Sequence, residues 1–119
     1  MLISSRAVDI LSWAKDVGVT PKEFMKSDKL FDRKGFPVDL LKAVPEDTLW
    51  MPGPMSLSAP LEKALGIKLG VVQKGSMVFL YGEYLNKRVE VAAATEEEAV
   101  LKFLQGVRDA TQSRAVSSG

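Results

Sequence analysis

Residues 51–60, in the middle of this 119-residue chain, contain three prolines and one glycine. Proline lacks a backbone donor and fixes φ, so such a segment is predicted to interrupt helices and strands. We therefore expect a hinge at 51–60 between a helical part, 1–50, and a mixed sheet-and-helix part, 61–112, followed by a short polar tail at 113–119. A chain of this length typically forms one domain, so both parts are expected to share a single core.

The composition excludes several kinds of active site and metal site, because the chain has neither cysteine nor histidine. Disulfides, thiolate metal ligands and cysteine nucleophiles are excluded, and so is the commonest general base near neutral pH. Glu96, Glu97 and Glu98 form an acidic triplet, but successive helical residues diverge by about 100° and cannot share one metal. We expect a protein that is not an enzyme and that needs no cofactor and no metal.

The net charge and the hydropathy pattern indicate which partners and which cellular location to expect. The 16 basic and 15 acidic residues give a net charge of +1, so any nucleic-acid contact must rest on a local patch. No stretch approaches the roughly 18 apolar residues of a membrane span, and the N-terminus does not resemble a signal peptide. The expected location is the cytoplasm, or the host cytoplasm or virion for a chain encoded by a phage.

The first helix is predicted to begin after a capping serine, Ser4 or Ser5, and to run to about Val17. Its apolar arc is broader than the roughly 100° typical of a surface helix, because Val8 and Trp13 widen it on both flanks. A helix of this kind is buried on more than one side or contacts another subunit, which makes Trp13 a candidate contact residue. The central face of the helix consists of Ala7, Ile10, Leu11, Ala14 and Val17.

A second helix is predicted from Thr20, where Thr20 to Glu23 form a capping box with Pro21 at the first helical position. Residues 14–26, with a small residue at Ala14, a glycine turn and Phe24 after it, resemble the helix-turn-helix of bacterial and phage regulators. The resemblance implies that four residues face the major groove: Thr20, Lys22, Met25 and Lys26. The alternative is a plain helical corner whose lysines are solvated.

The segment before the hinge is predicted to form a short apolar helix from Phe36 to Val44. Trp50, Met51 and Met55 then lie among the prolines. Rigid backbone and adaptable methionines suit a preformed docking loop for a protein partner. The alternative is that these side chains fold back over the domain's own core.

The second half predicts a short helix at 60–65 and then three antiparallel strands, at 67–74, 77–85 and 87–93, joined by tight turns. Thr95 to Glu98 form another capping box, which begins a C-terminal helix. The apolar face of that helix consists of Ala99, Phe103, Val107 and Ala110. The sequence as a whole therefore predicts an α+β fold, in which two or three N-terminal helices pack with a three-stranded antiparallel sheet backed by a C-terminal helix.

The middle strand is apolar on both sides, since Phe79 and Tyr81 alternate with Val78 and Leu80. One side is predicted to receive the helix that carries Phe103. The other side must be covered by the N-terminal helices, by a second subunit or partner, or by a ligand. We expect the chain's own first half to cover it, and a partner contact through Phe79 and Tyr81 is the alternative.

Residues 70–99 resemble the plant ethylene-response-factor domain and the phage-integrase arm-binding domain. The resemblance rests on the pattern at 70–75, 86–89 and 95–99, and it implies a three-stranded sheet with one helix that lays the sheet into the DNA major groove. Those families carry arginine and tryptophan on the exposed sheet face, where this chain is predicted to present Leu69, Val72, Met77 and Tyr81. The residues able to meet phosphates are Lys74, Lys87 and Arg88.

The function expected from these patterns is that of a small non-catalytic protein-binding protein, such as a regulatory or assembly subunit of a phage or mobile element. Its partner is another protein or further copies of itself. The alternative function is a small DNA-binding regulator that uses the helical corner, the sheet, or both.

Overall fold

Across residues 2–44 and 46–118, which the computed structural model describes, the chain forms three α-helices and two antiparallel sheets. Side chains are described as far as residue 112. The elements are α1 (Ser5–Asp16), β1 (Lys29–Phe31), β2 (Leu49–Met51), α2 (Pro54–Leu65), β3 (Gly70–Lys74), β4 (Met77–Tyr84), β5 (Lys87–Ala93) and α3 (Glu96–Ser118). Strands β1 and β2 pair with each other, and β3, β4 and β5 form the second sheet in that order. The predicted α+β class, with a C-terminal helix after a three-stranded sheet, is confirmed.

The three-stranded sheet follows the predicted hairpins closely. Leu85 and Asn86 form the turn between β4 and β5 with φ of +54° and +65°, the left-handed geometry of a two-residue hairpin turn. Strand β3 begins at Gly70 rather than at the predicted Ile67, and Ile67 itself is fully buried in the core. The register pairs Val72 with Phe79 and Phe79 with Ala92, which places these three side chains on one face.

Helix α3 packs against β4 and β5 on the other face of this sheet, here called the inner face. It begins as predicted: the Thr95 hydroxyl accepts a hydrogen bond from the Glu98 backbone N–H at 3.2 Å. Phe103, Leu104 and Val107 are fully buried, because α1 and α2 pack on other sides of the same helix. α3 is therefore the central element of the core.

The N-terminal part contains one α-helix in the described residues, where two or three were expected. Helix α1 has the predicted cap, since the Ser4 hydroxyl accepts a hydrogen bond from the Ala7 N–H at 3.1 Å. The helix predicted after Thr20 is wrong: residues 20–28 form bends and turns. The Asp28 carboxylate accepts a hydrogen bond from the Met25 N–H at 2.7 Å and closes a turn that leads directly into β1.

The helix predicted from Phe36 to Val44 is also wrong. Within that segment the structure has a single 3-10 turn at Leu40–Lys42. The Asp32 carboxylate accepts hydrogen bonds from the backbone N–H groups of Lys34 and Phe36, which fixes a tight turn after β1. That turn brings Pro37 beside Phe31 in an isolated bridge and holds the segment in extended form.

The segment expected to be a hinge contains regular structure instead. Strand β2 ends at Met51, and α2 begins at Pro54, where a helix needs no backbone donor. Pro60 lies inside α2 and leaves out one helical hydrogen bond without ending the helix. Gly66 ends α2 in the left-handed conformation, with φ of +70°.

Two remaining expectations concern the chain's end and membranes. Helix α3 continues to Ser118, so residues 113–118 belong to a helix rather than to a separate tail, and residue 119 lies outside the described residues. Within the part of the chain that the structure describes, no helix is both long enough and apolar enough to cross a bilayer.

Candidate functional site

The face of the three-stranded sheet that points away from α3 carries large apolar side chains in contact with solvent. Alternation along β4 places Met77, Phe79 and Tyr81 on this face, with exposed fractions of 36%, 36% and 38%. Val72 on β3 is 37% exposed and pairs with Phe79 across the ladder. We call Val72, Met77, Phe79 and Tyr81 the open face.

The expectation that the chain's own first half covers this side of the sheet is wrong. The apolar stripe of α1, which includes Ile10 and Leu11, packs against α3 and β2. Because α3 lies on the inner face, α1 and the small β1–β2 sheet lie beyond α3 and do not reach the open face. The other half of the prediction is confirmed, since Phe103 lies against the inner face.

Tyr81 is held flat against the sheet. A β-carbon on Gly70, its partner in the register, would lie 2.1 Å from the Tyr81 Cζ, so the ring occupies the space above the glycine backbone. The Arg88 guanidinium carbon lies 5.3 Å from the ring centroid, and Arg88 is ion-paired with Glu90. The ring therefore lies between the backbone of β3 and the guanidinium of Arg88.

Charges border the open face at both ends. Lys74 lies opposite Met77 in the strand register, at the end near the β3–β4 turn. Glu83 lies opposite Arg88, at the end near the β4–β5 turn. Lys68 lines the same pocket as Tyr81, Glu83 and Arg88, so this side of the sheet carries three cations, Lys68, Lys74 and Arg88, and two carboxylates, Glu83 and Glu90. A shallow groove runs between β3 and β5 across the open face, with Lys74 and Glu90 among its lining residues.

The residues predicted to form a docking loop do not share one surface. Trp50 and Met51 are only 7% and 6% exposed, because β2 places them in the interior. The docking role of these two residues is therefore wrong, and they pack inside the domain. Trp13 is partly buried against the core, and Met55 at the start of α2 is 79% exposed.

The predicted DNA-reading corner lacks the helix that the interpretation requires. Thr20, Lys22 and Lys26 lie in the irregular segment after α1, and both lysines are exposed. The Thr20 backbone N–H donates to the Gly18 carbonyl at 3.0 Å, within a turn. A groove-reading helix with Thr20 as its cap is therefore absent from this described segment.

The basic residues predicted on the sheet are also divided. Lys74 lies on the same side as the open face, whereas Lys87 belongs to the opposite set in the strand alternation. Arg88 is engaged by Glu90 and by the Tyr81 ring. Leu69, expected among the exposed residues, instead packs against the core.

The contact between Gly70 and Tyr81 and the stacking of Arg88 were not predicted from the sequence. The signal for both was the hairpin register: once the turn is placed at 75–76, Gly70 falls opposite Tyr81. Among the described residues, no group of three acidic side chains is placed to hold a metal ion. Comparisons of the chain with protein-family models, with curated proteins and with solved structures give no match.

Proposed function

We propose that this protein is a small non-catalytic protein-binding protein, a regulatory or assembly subunit whose docking surface is the open face. The observation that carries the proposal is the set of four contiguous apolar side chains with about a third of their area in water. Fully burying one such side chain contributes roughly 1.5–3 kcal/mol. Covering the exposed third of all four therefore contributes about 2–4 kcal/mol, which favours association but is smaller than the roughly 8 kcal/mol of a micromolar complex.

The charge of this side of the sheet favours a protein over a nucleic acid as the partner. DNA binding gains most of its affinity from cations that displace counterions at phosphates. Here Arg88 is ion-paired with Glu90, Lys68 lies near Glu83, and Lys74 is a single cation at the other end of the face. An apolar centre with charges of both signs around it matches the apolar core and polar rim of protein interfaces.

A pull-down with matched variants tests the proposal. Phe79→Glu places a charge in the middle of the open face, and Leu41→Glu places the same charge on a side chain that is 93% exposed elsewhere. We expect wild type and Leu41→Glu to retain one common partner, and Phe79→Glu to lose it while melting within a few degrees of wild type. Identical partners for all three proteins would contradict the proposal. A Met55→Glu variant in the same pull-down tests whether the start of α2 also contacts the partner.

The DNA-binding regulator remains the rival, and duplex binding at low salt distinguishes it. We expect no binding of wild type to a mixed-sequence duplex, measured by fluorescence anisotropy. Binding that weakens steeply with salt, and that Lys22→Glu with Lys26→Glu or Lys74→Glu abolishes, would favour the rival function.

A further inference from the structure

We infer that a second copy of this chain pairs with the outer edge of β3, antiparallel and centred on Val72, so that the two three-stranded sheets join into one continuous sheet. The inference goes beyond the proposed function, because the contact uses an edge of the sheet rather than the open face. Three features of β3 carry it. Its outer edge has unpaired backbone groups, the strand is complementary to a copy of itself, and the resulting register places Lys74 opposite Gly70.

The outer edge of β3 presents backbone groups that have no partner. The turn at 75–76 closes a two-residue hairpin, so Lys74 and Met77 face each other as a hydrogen-bonded pair, and such pairs recur at every second residue along the ladder. The N–H and C=O groups of Val71 and Gln73 therefore point away from β4. Strand β3 pairs with β4 alone, and no described residue bonds to these outward groups.

The outer edge of β5 is covered instead. By the same alternation the Ala92 carbonyl points outward, and the Lys102 ammonium donates a hydrogen bond to it at 3.0 Å. Helix α3 packs along β5 but not extensively against β3. Three of the seven residues of β5 are charged, which protects a sheet edge from pairing, whereas β3 has one charged residue in five and neither a proline nor a bulge.

Strand β3 is complementary to a second copy of itself. When two β3 strands pair antiparallel over their whole length, Val72 lies opposite Val72 of the other copy, and Val71 lies opposite Gln73. Every outward N–H and C=O group of these strands then has a partner, which gives four backbone hydrogen bonds. The two Val72 side chains meet on the side of the open face as an apolar cross-strand pair. A register shifted by two residues would pair fewer residues of β3.

The same register places Lys74 opposite Gly70 of the other copy. The Tyr81 ring covers Gly70, and Cζ, the ring carbon that carries the hydroxyl, is the ring atom nearest to the position that a β-carbon would take. Because the ring extends from β4 across β3, its hydroxyl points toward the outer edge of the sheet. The Lys74 ammonium of one copy can therefore donate a hydrogen bond to the Tyr81 hydroxyl of the other. The two Lys74 residues lie at opposite ends of the strand pair, so they do not face each other.

The pairing also joins the two open faces. A two-fold axis perpendicular to the sheet keeps both open faces on the same side, and they meet at Val72. One open face gives less stabilisation than a micromolar complex requires, so a partner that docks on both copies gains from the larger apolar surface. The strand contact is small compared with a standard interface, and we expect a dimer that forms at high protein concentration rather than a permanent one.

Single-cysteine crosslinking tests the register, since the chain has no cysteine of its own. Val72→Cys places a thiol on the two-fold axis, where the facing Cα atoms are about 4.5 Å apart, within the range of a disulfide. Gln73→Cys is the matched control, because its nearest copy lies diagonally at about 7–8 Å. Glu90→Cys controls for the outer edge of β5. We expect Val72→Cys to form covalent dimers about tenfold faster than either control under mild oxidation.

Sedimentation equilibrium of cysteine-free variants tests the edge. Gln73→Pro removes one outward N–H from each copy and leaves the ladder with β4 intact, since proline is tolerated on an edge strand. Glu90→Pro is the matched change on β5. Because two symmetric hydrogen bonds are lost, we expect Gln73→Pro to raise the dissociation constant of the dimer about tenfold. Glu90→Pro should dimerise as wild type does, and both variants should melt within a few degrees of wild type.

Four results would overturn the inference. Wild type that stays monomeric at about 1 mM would remove the dimer. Equal crosslinking of Val72→Cys and Glu90→Cys would indicate random collision, and faster crosslinking of Gln73→Cys would indicate another register. A dimer that Gln73→Pro leaves intact would place the contact elsewhere. The proposed function is decided separately, because it fails if Phe79→Glu retains every cellular partner.

Discussion

Replacing Gly82 by alanine tests which face of the sheet α3 covers. Gly82 lies in the middle of β4 on the inner face, where an added β-carbon would lie 2.9 Å from Ile67 Cγ2, 3.2 Å from Phe103 Cζ and 3.3 Å from the Lys68 carbonyl oxygen. Ile67 and Phe103 are fully buried, so neither side chain can turn toward solvent. The new methyl group must therefore push α3 away from the sheet or force side chains out of their preferred rotamers.

The expected cost follows from two opposing effects. Overpacking a core by one methyl costs about 1–3 kcal/mol. Gly→Ala also restricts the unfolded chain, which offsets about 0.4–1 kcal/mol. We expect Gly82→Ala to lower the free energy of unfolding by about 1–2 kcal/mol, and Tm by about 4–8 °C for a domain of this size.

Urea and thermal unfolding of a double-mutant cycle measure the effect. Phe103→Leu alone should be destabilising because it leaves a cavity. Combined with Gly82→Ala, it makes room for the new methyl group, so the double variant should be more stable than additivity predicts by at least about 0.5 kcal/mol. A Gly82→Ala protein as stable as wild type, with additive effects in the cycle, would refute the packing of α3 on this face.

Three further tests, which use five substitutions, have distinct expected outcomes. Thr95→Ala should lower the free energy of unfolding by about 1 kcal/mol, because the Thr95 hydroxyl caps α3. Thr20→Ala should change that free energy by less than about 0.5 kcal/mol, because no helix begins at Thr20. Equal losses for both variants in urea unfolding would indicate that a helix does begin at residue 20. Leu80→Ala should lower the free energy of unfolding by about 2–5 kcal/mol, and Phe79→Ala should lower it clearly less, because these neighbours lie on opposite faces of the sheet. The reverse order would indicate that Phe79, and not Leu80, lies on the inner face. Gly70→Ala should displace the tyrosine ring above it and alter the near-ultraviolet circular dichroism, and an unchanged spectrum would place the ring elsewhere.

The second half of the fold was predictable because its signals are local. Alternating apolar residues, two tight turns and the capping box at Thr95 each act over a few residues. Hairpin strands pair with the next segment of the chain, so the turns at 75–76 and 85–86 determine the register without distant information. The strand limits accordingly agree within a few residues.

The first half was not predictable in the same way, because distant contacts override its local signals. The capping box at Thr20 is a sound helix start, yet the chain turns at Asp28 to bring β1 beside β2. Each of these strands has three residues, too few to show a periodicity. Leu30 pairs with Trp50 across a separation that the sequence pattern does not reveal.

The candidate site was partly predictable. Phe79 and Tyr81 follow from the two-sided pattern of β4, but which side stays open depends on where α1 packs. Trp50 and Met51 show the opposite case: aromatic and methionine side chains among prolines are typical of docking loops, and here they are buried. Burial of this kind is decided by tertiary packing, which the local composition does not specify.

Hydroxyl-radical footprinting of the open face tests the central claim most directly. Oxidation of Met77, Phe79 and Tyr81 is measured by mass spectrometry in the purified protein and in the complex isolated from cells. Buried Phe103 and exposed Leu41 serve as internal references. We expect the three open-face residues to oxidise readily in the purified protein and to be protected in the complex, while Leu41 reacts equally in both samples. Protection already present in a purified monomer, or equal oxidation in the complex, would contradict the claim that a protein partner covers this face.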